Sequence, residues 1–190
     1  PVLKLNTTKN FITGIYPYSL MNSTFYPVTQ KTQALKVTQS IQEWCGHVYM
    51  QLNNRDVFEI RSHSYFEGEA DQELDIEKAV LENELWTLLR IDPQELPTGT
   101  LKMIPNFEFL RLRHAKLKAY KVKATHTEGE YTLTYPELNR TLKIVYNPTF
   151  PYTIERWEES YKDSREGEVM TTTGTRINSI KNDYWNKKRT

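Results

Sequence analysis

Short stretches in which apolar and polar residues alternate recur along most of the chain, and each ends at a turn signal. A period of two sends successive side chains to opposite faces of a strand. The clearest pair lies within IQEWCGHVYMQLNNRDVFEIRSHSYFEG (41–68) and flanks Asn53-Asn54-Arg55-Asp56, which predicts a β-hairpin. A five-residue loop over 53–57 sets Leu52 opposite Phe58, Met50 opposite Ile60, Val48 opposite Ser62 and Trp44 opposite Phe66. One face is then largely apolar, and that consistency is what fixes register. The other face carries Glu43–Glu67, Cys45–Tyr65, His47–His63, Tyr49–Arg61 and Gln51–Glu59.

Elsewhere the same pattern predicts a short extended piece over 1–5, a polar break at 6–10, and a bent, aromatic segment over 11–28 (FITGIYPYSLMNSTFYPV). Pro17 and Pro27 argue against a helix there. Strands are expected over 34–40, 101–104, 131–135, 140–146, 152–157 and 169–180, with a charged loop over 160–167 and a basic tail over 182–190. Residues 107–127 also read as strand, with parity changes that imply bulges or a break. The one predicted helix covers 75–91: Asp71 or Asp75 can cap it, and acidic residues fill its first turns. Ala79, Val80, Leu81, Leu85, Leu88 and Leu89 recur there at helical spacing, and Pro93 stops it. The expected fold is mainly β: an antiparallel curved sheet or incomplete barrel covered by that single helix, in one domain over 1–190.

Composition adds modest constraints. With 190 residues the chain is long enough for a sizeable core, and 12 tyrosines, 7 phenylalanines and 4 tryptophans make that core aromatic-rich. The 25 basic and 24 acidic residues nearly cancel, so no global field recruits nucleic acid or membrane. Arg111, Arg113, Lys116, Lys118, Lys121 and Lys123 form a basic ribbon in the sequence. Lysine-rich solvated strand faces are common, and no nucleic-acid partner is expected. A single cysteine excludes an internal disulfide. There is no phosphate-binding Gly-rich loop, dinucleotide fingerprint, HExxH or GxSxG.

Two sets of residues carry candidate chemistry. Tyr16, Tyr18, Phe25, Trp44 and Trp86 could line a groove for a lipid or another apolar small molecule. Cys45, His47, His63 and Glu67 share one predicted sheet face, where they could supply zinc ligands. The sequence requires no cofactor, and zinc is the one candidate. A non-catalytic binding module and a metal-dependent or thiol enzyme using Cys45, His47 and His63 are the two functional readings.

The blocks YPYSLMNSTFYPV, QEWCGHVYMQLN, SHSYFEGEAD and FEFLRLRH resemble an uncharacterised family of Bacteroidetes envelope proteins, often lipoprotein-like. That family circulates under the label "septum formation inhibitor Maf". The nucleotide pyrophosphatases of that name carry an N-terminal Ser-x-Ser-Pro-Arg-Arg loop, which this sequence lacks, so no active site is carried over. The resemblance implies an exported protein, periplasmic or associated with the outer membrane, whose signal or N-terminal strands lie outside these residues. Strand edges left unpaired in this way would be open to a second copy of the chain, giving a homo-oligomer.

Overall fold

The computed structural model describes residues 1–29, 32–162 and 167–187; parts of the predicted charged loop (163–166) and basic tail (188–190) lie outside them. Two separate sheets replace the single curved one. The first is a six-stranded antiparallel meander: β1 (Val2–Thr13), β2 (Tyr16–Pro27), β3 (Lys36–Glu43), β4 (Gly46–Asn54), β5 (Phe58–His63) and β6 (Gln72–Ile76). The second has seven strands in the order β13-β12-β11-β10-β9-β8-β7. These are β7 (Val80–Leu81), β8 (Gly99–Ile104), β9 (Tyr120–Thr127), β10 (Glu130–Tyr135), β11 (Arg140–Tyr146), β12 (Ile154–Lys162) and β13 (Val169–Thr175). Neither sheet closes: β1 and β6 are the edges of one, β7 and β13 of the other. The expectation of a curved sheet or incomplete barrel is therefore corrected. Alternation specifies strands and faces, but it does not specify which strands join.

Two helices stand where one was expected: α1 (Glu82–Ile91) and α2 (Phe107–Leu112). The first half of the predicted 75–91 helix is extended. Leu74 and Ile76 pair with Ile60 and Phe58, and Val80 and Leu81 pair in parallel with Met103 and Ile104 of β8. Strand pairing overrides helical spacing here, because Leu74, Ile76, Val80 and Leu81 find partners in the sheets. α2 begins where the Asn106 side chain accepts the Glu108 N–H at 2.9 Å, a cap that stops the preceding strand. The polar stretch 6–10, expected as a break, continues β1. Its Asn and Thr residues sit in a solvated edge strand, where polarity costs little.

Inward faces of both sheets and both helices feed one core. Val37, Leu52, Phe58 and Ile60 come from the first sheet. Tyr131, Leu133, Tyr135, Leu142 and Ile144 come from the second, with Leu85 and Leu89 from α1 and Phe107 and Leu110 from α2. The N-terminal turn of α1 joins the layers through three consecutive buried polar residues, Glu82, Asn83 and Glu84.

Glu82 and Arg140 are 1% and 3% exposed. The guanidinium donates from Nη1 and Nη2 to the two Glu82 oxygens at 2.5 and 2.7 Å, and from Nε to Glu159 at 2.5 Å. Tyr135 donates to Glu82 at 2.8 Å. Burial alone would lower the Arg140 pKa, but the Glu82 charge and hydrogen bonds outweigh it and hold the value above the ordinary one. Glu84 faces the first sheet, accepting the N–H of Ala34 at 2.6 Å and that of Leu81 at 3.1 Å. Burial dominates at this carboxyl and pushes its pKa up to about 7, against the lowering effect of those two donors.

Arg140→Met, which strands the Glu82 charge, should cost about 3–5 kcal/mol in urea unfolding, whereas Glu82→Leu with Arg140→Met should recover most of that loss. A single variant as stable as the wild type would remove the pair from its structural role. For Glu84 the folded pKa lies above the ordinary 4.5, so the native state holds the proton more tightly than the unfolded chain. Its stabilising contribution is complete below pH 4.5 and disappears as pH rises through about 7. Relative to Glu84→Gln, the wild type should lose on the order of 3 kcal/mol across that window. Parallel stability–pH curves for the two proteins would refute this.

Candidate functional site

The hairpin of β4 and β5 forms with the predicted faces but a different register. Leu52 lies opposite Ile60, Met50 opposite Ser62 and Tyr49 opposite His63, so the connection is three residues (Arg55, Asp56, Val57) and the strands are offset by two residues. Parity survives a shift of two, which is why Val48, Met50, Leu52, Phe58 and Ile60 are still buried. The pairs do not survive. His47 lies opposite Gln42 of β3, and His63 Nδ1 is 2.9 Å from Asp71.

Cys45 occupies the exposed turn between β3 and β4, since Glu43 pairs with Gly46. Its N–H donates to Glu43 at 2.6 Å, and Tyr65 donates to the same carboxylate. The Tyr65 ring lies over Gly46, where an added Cβ would come within 2.6 Å of it. Glu67 begins a short 3₁₀ turn (Glu67–Glu69) after β5. Among the described residues, no group of three or more His, Cys, Asp or Glu side chains is placed to hold a metal ion.

The predicted aromatic set also divides. Tyr16 meets Trp44 edge-to-face at 5.5 Å where the β1–β2 and β3–β4 turns lie side by side, and Trp44 is 65% exposed. Tyr18 stacks on Phe11 at 5.1 Å and packs against a small cluster of Leu20, Ile41 and Val48. Lys4 covers Phe25. Of this set, Tyr18 and Trp44 line an open groove of about 600 Å³ with Phe11 and Ile12, and Trp86 alone lines the cleft between the two sheets.

That cleft has a volume of about 410 Å³ and opens between β1 and β2 on one side and β11 and β12 on the other. Leu5, Phe109, Leu142, Trp86 and Trp157 supply its apolar wall. The two indoles meet edge-to-face at 6.5 Å. Trp157 can occupy its position because the residue opposite it on β13 is Gly174; a Cβ there would come within 2.2 Å of the indole nitrogen.

Ion pairs frame this wall. Arg140, Glu82 and Glu159 form one cluster, and Lys9 pairs with Glu108 at 2.6 Å while lying over the Trp157 ring. Asn83 links the N-terminal ends of the two helices, accepting from the Phe107 N–H at 3.2 Å and donating to Asn106 at 3.3 Å. Two buried polar atoms of cleft-lining residues have no partner among the described residues: Asn22 Oδ1 and Trp86 Nε1.

Most of these residues were not singled out by the sequence, although a signal was present. Arg140 shares the inward parity of Leu142, Ile144 and Tyr146 in β11, and a charge on an apolar face is the mark of a buried pair or a site. The six residues of the basic ribbon are dispersed: Arg111 is nearly buried on α2 and pairs with Glu69 at 3.1 Å, whereas Lys121 and Lys123 project from β9.

The Cys45 thiol is exposed, but its hydrogen bond to Glu43 raises its pKa, with smaller contributions from burial and from the Glu43 charge. Less thiolate is therefore present at neutral pH. Glu43→Gln should speed the reaction of Cys45 with a disulfide reagent in the native protein and move its pH profile to lower pH. Superimposable profiles would show that Glu43 does not control the thiol.

No protein-family model matches the chain, and neither the curated proteins nor the solved structures contain a detectable relative.

Proposed function

We propose that this chain is a non-catalytic binding module that holds an apolar or amphipathic small molecule in the cleft between its two sheets. The observation that carries this reading is the tryptophan-walled cavity of about 410 Å³, within the range of about 300–1,000 Å³ for small-molecule sites. Its wall combines apolar surface with a few fixed polar groups, the usual composition of such sites. The charged groups around it are engaged with one another: Arg140 with Glu82 and Glu159, Lys9 with Glu108. These pairs suit a scaffold that holds the cavity open more than a set of groups poised for proton transfer. An envelope setting rests on the sequence resemblance alone. It agrees with an amphipathic cargo, which membranes supply.

The neutral fluorophore N-phenyl-1-naphthylamine tests the site. Saturable binding at one site per chain is expected, with blue-shifted emission. Thr7 lies opposite Asn22 and lines the cleft, so Thr7→Trp should plug the mouth and abolish that signal. Trp44→Ser, at the exposed turn, should leave it unchanged. Binding that follows Trp44 and ignores Thr7 would transfer the site to the aromatic turns and end this proposal.

A further inference from the structure

We infer that the cleft selects amphiphiles whose polar end is uncharged and can donate a hydrogen bond, such as an alcohol or an acylglycerol, over carboxylates of the same chain length. This rests on the ligand-binding reading above and specifies the chemistry of its cargo.

Charge supports the first half. The cleft is lined by two cations, Lys9 and Arg140, and by three carboxylates, Glu82, Glu108 and Glu159. One negative charge is therefore in excess. Arg140 has no donor left for an anionic headgroup, and Lys9 can meet one only in competition with Glu108. Arg140 spends Nε on Glu159 and both terminal nitrogens on Glu82, with its side chain 2% exposed. Lys9 holds Glu108 at 2.6 Å. An incoming carboxylate would lose its hydration and meet an acidic surround, which is a large penalty for a buried charge without a partner. A hydroxyl or ester headgroup escapes that penalty.

Unpaired polar atoms support the second half. Asn22 is 6% exposed, and its amide donates to Glu108 at 3.3 Å, yet its Oδ1 accepts nothing. Trp86 Nε1 is buried and donates to nothing. Both residues line the cleft, with these two atoms just beneath its surface. A buried acceptor and a buried donor are each costly until paired, and a side-chain rotation would bring them to an occupant. A hydroxyl can satisfy both kinds of atom, because it donates one hydrogen bond and accepts others. A carboxylate only accepts and would leave Asn22 Oδ1 unpaired. The apolar tail would then lie along Leu5, Phe109, Leu142 and Trp157.

Displacement of N-phenyl-1-naphthylamine from the wild-type protein at about pH 8 discriminates among decan-1-ol, decanoate and methyl nonyl ether, all below their aggregation limits. Decan-1-ol should displace the fluorophore at concentrations at least about tenfold below those of decanoate. It should also outcompete the ether, which cannot donate. With affinities referred to the fluorophore Kd measured for the variant itself, Asn22→Leu should erase the difference between alcohol and ether. Glu108→Gln, which frees Lys9, should improve decanoate relative to decan-1-ol by at least about tenfold in the same variant.

Decanoate equal to or better than decan-1-ol in the wild type would overturn this inference while leaving the cleft as a binding site. So would an alcohol–ether difference that persists in Asn22→Leu. Failure of every decyl compound to displace a fluorophore that Thr7→Trp excludes would also reject it. A fluorophore that does not bind the cleft would remove both this inference and the proposal on which it rests.

Discussion

Burying Glu82 against Arg140 is the interaction on which the arrangement of layers depends. Two opposite charges that are 1% and 3% exposed are tolerated only when geometry is good and the remaining lone pairs are satisfied. Here the pairing is bidentate, Tyr135 and Glu159 add hydrogen bonds, and the Phe109 ring lies 4.3 Å from the guanidinium carbon. Glu82 opens α1, where the positive end of the helix dipole favours an anion. The pair fixes that end of the helix to β11 of the second sheet. Two residues later Glu84 holds the backbone ahead of β3, so a single helical turn reaches both sheets.

The cleft follows from that anchoring. α1 is anchored to both sheets at one end of their shared core, and the seam beside it is lined by β1, β2, β11 and β12 together with residues of the two helices. Hydrophobic packing would tend to close such a gap. Ion pairs with fixed geometry resist closure, since neither Lys9–Glu108 nor Arg140–Glu159 can collapse further without losing a partner. Seams between packed layers are common places for small-molecule sites, and the proposed cargo would complete the burial of Leu142, Phe109 and the two indoles.

Strands and faces were legible in the sequence because alternation reports them directly. Residues 140–146 and the faces of β4 and β5 match expectation, down to the inward set of Val48, Met50, Leu52, Phe58 and Ile60. What alternation does not contain is pairing. A shift of two residues preserves every inward side chain and still separates His47 from a position opposite His63. The helix was overextended for a related reason: Val80 and Leu81 fit a helical stripe, but their local preference was weaker than pairing with Met103 and Ile104. Trp86 was the only predicted ligand-contacting residue to reach the cleft, because it lies on α1 close to the buried charges.

Polar residues at inward positions locate the site better than aromatic density does. Tyr16 and Trp44 cluster at exposed turns, and Trp44 borders only an open surface groove. Arg140 on β11, Glu159 opposite Leu142 and Asn22 among the inward residues of β2 each interrupt an apolar parity. A buried polar group persists in a fold only if something satisfies it. At Arg140 the partners are within the chain and create structure. At Asn22 Oδ1 and Trp86 Nε1 the described residues supply none, and under the proposed reading that difference separates the groups that build the cleft from those that would meet its occupant.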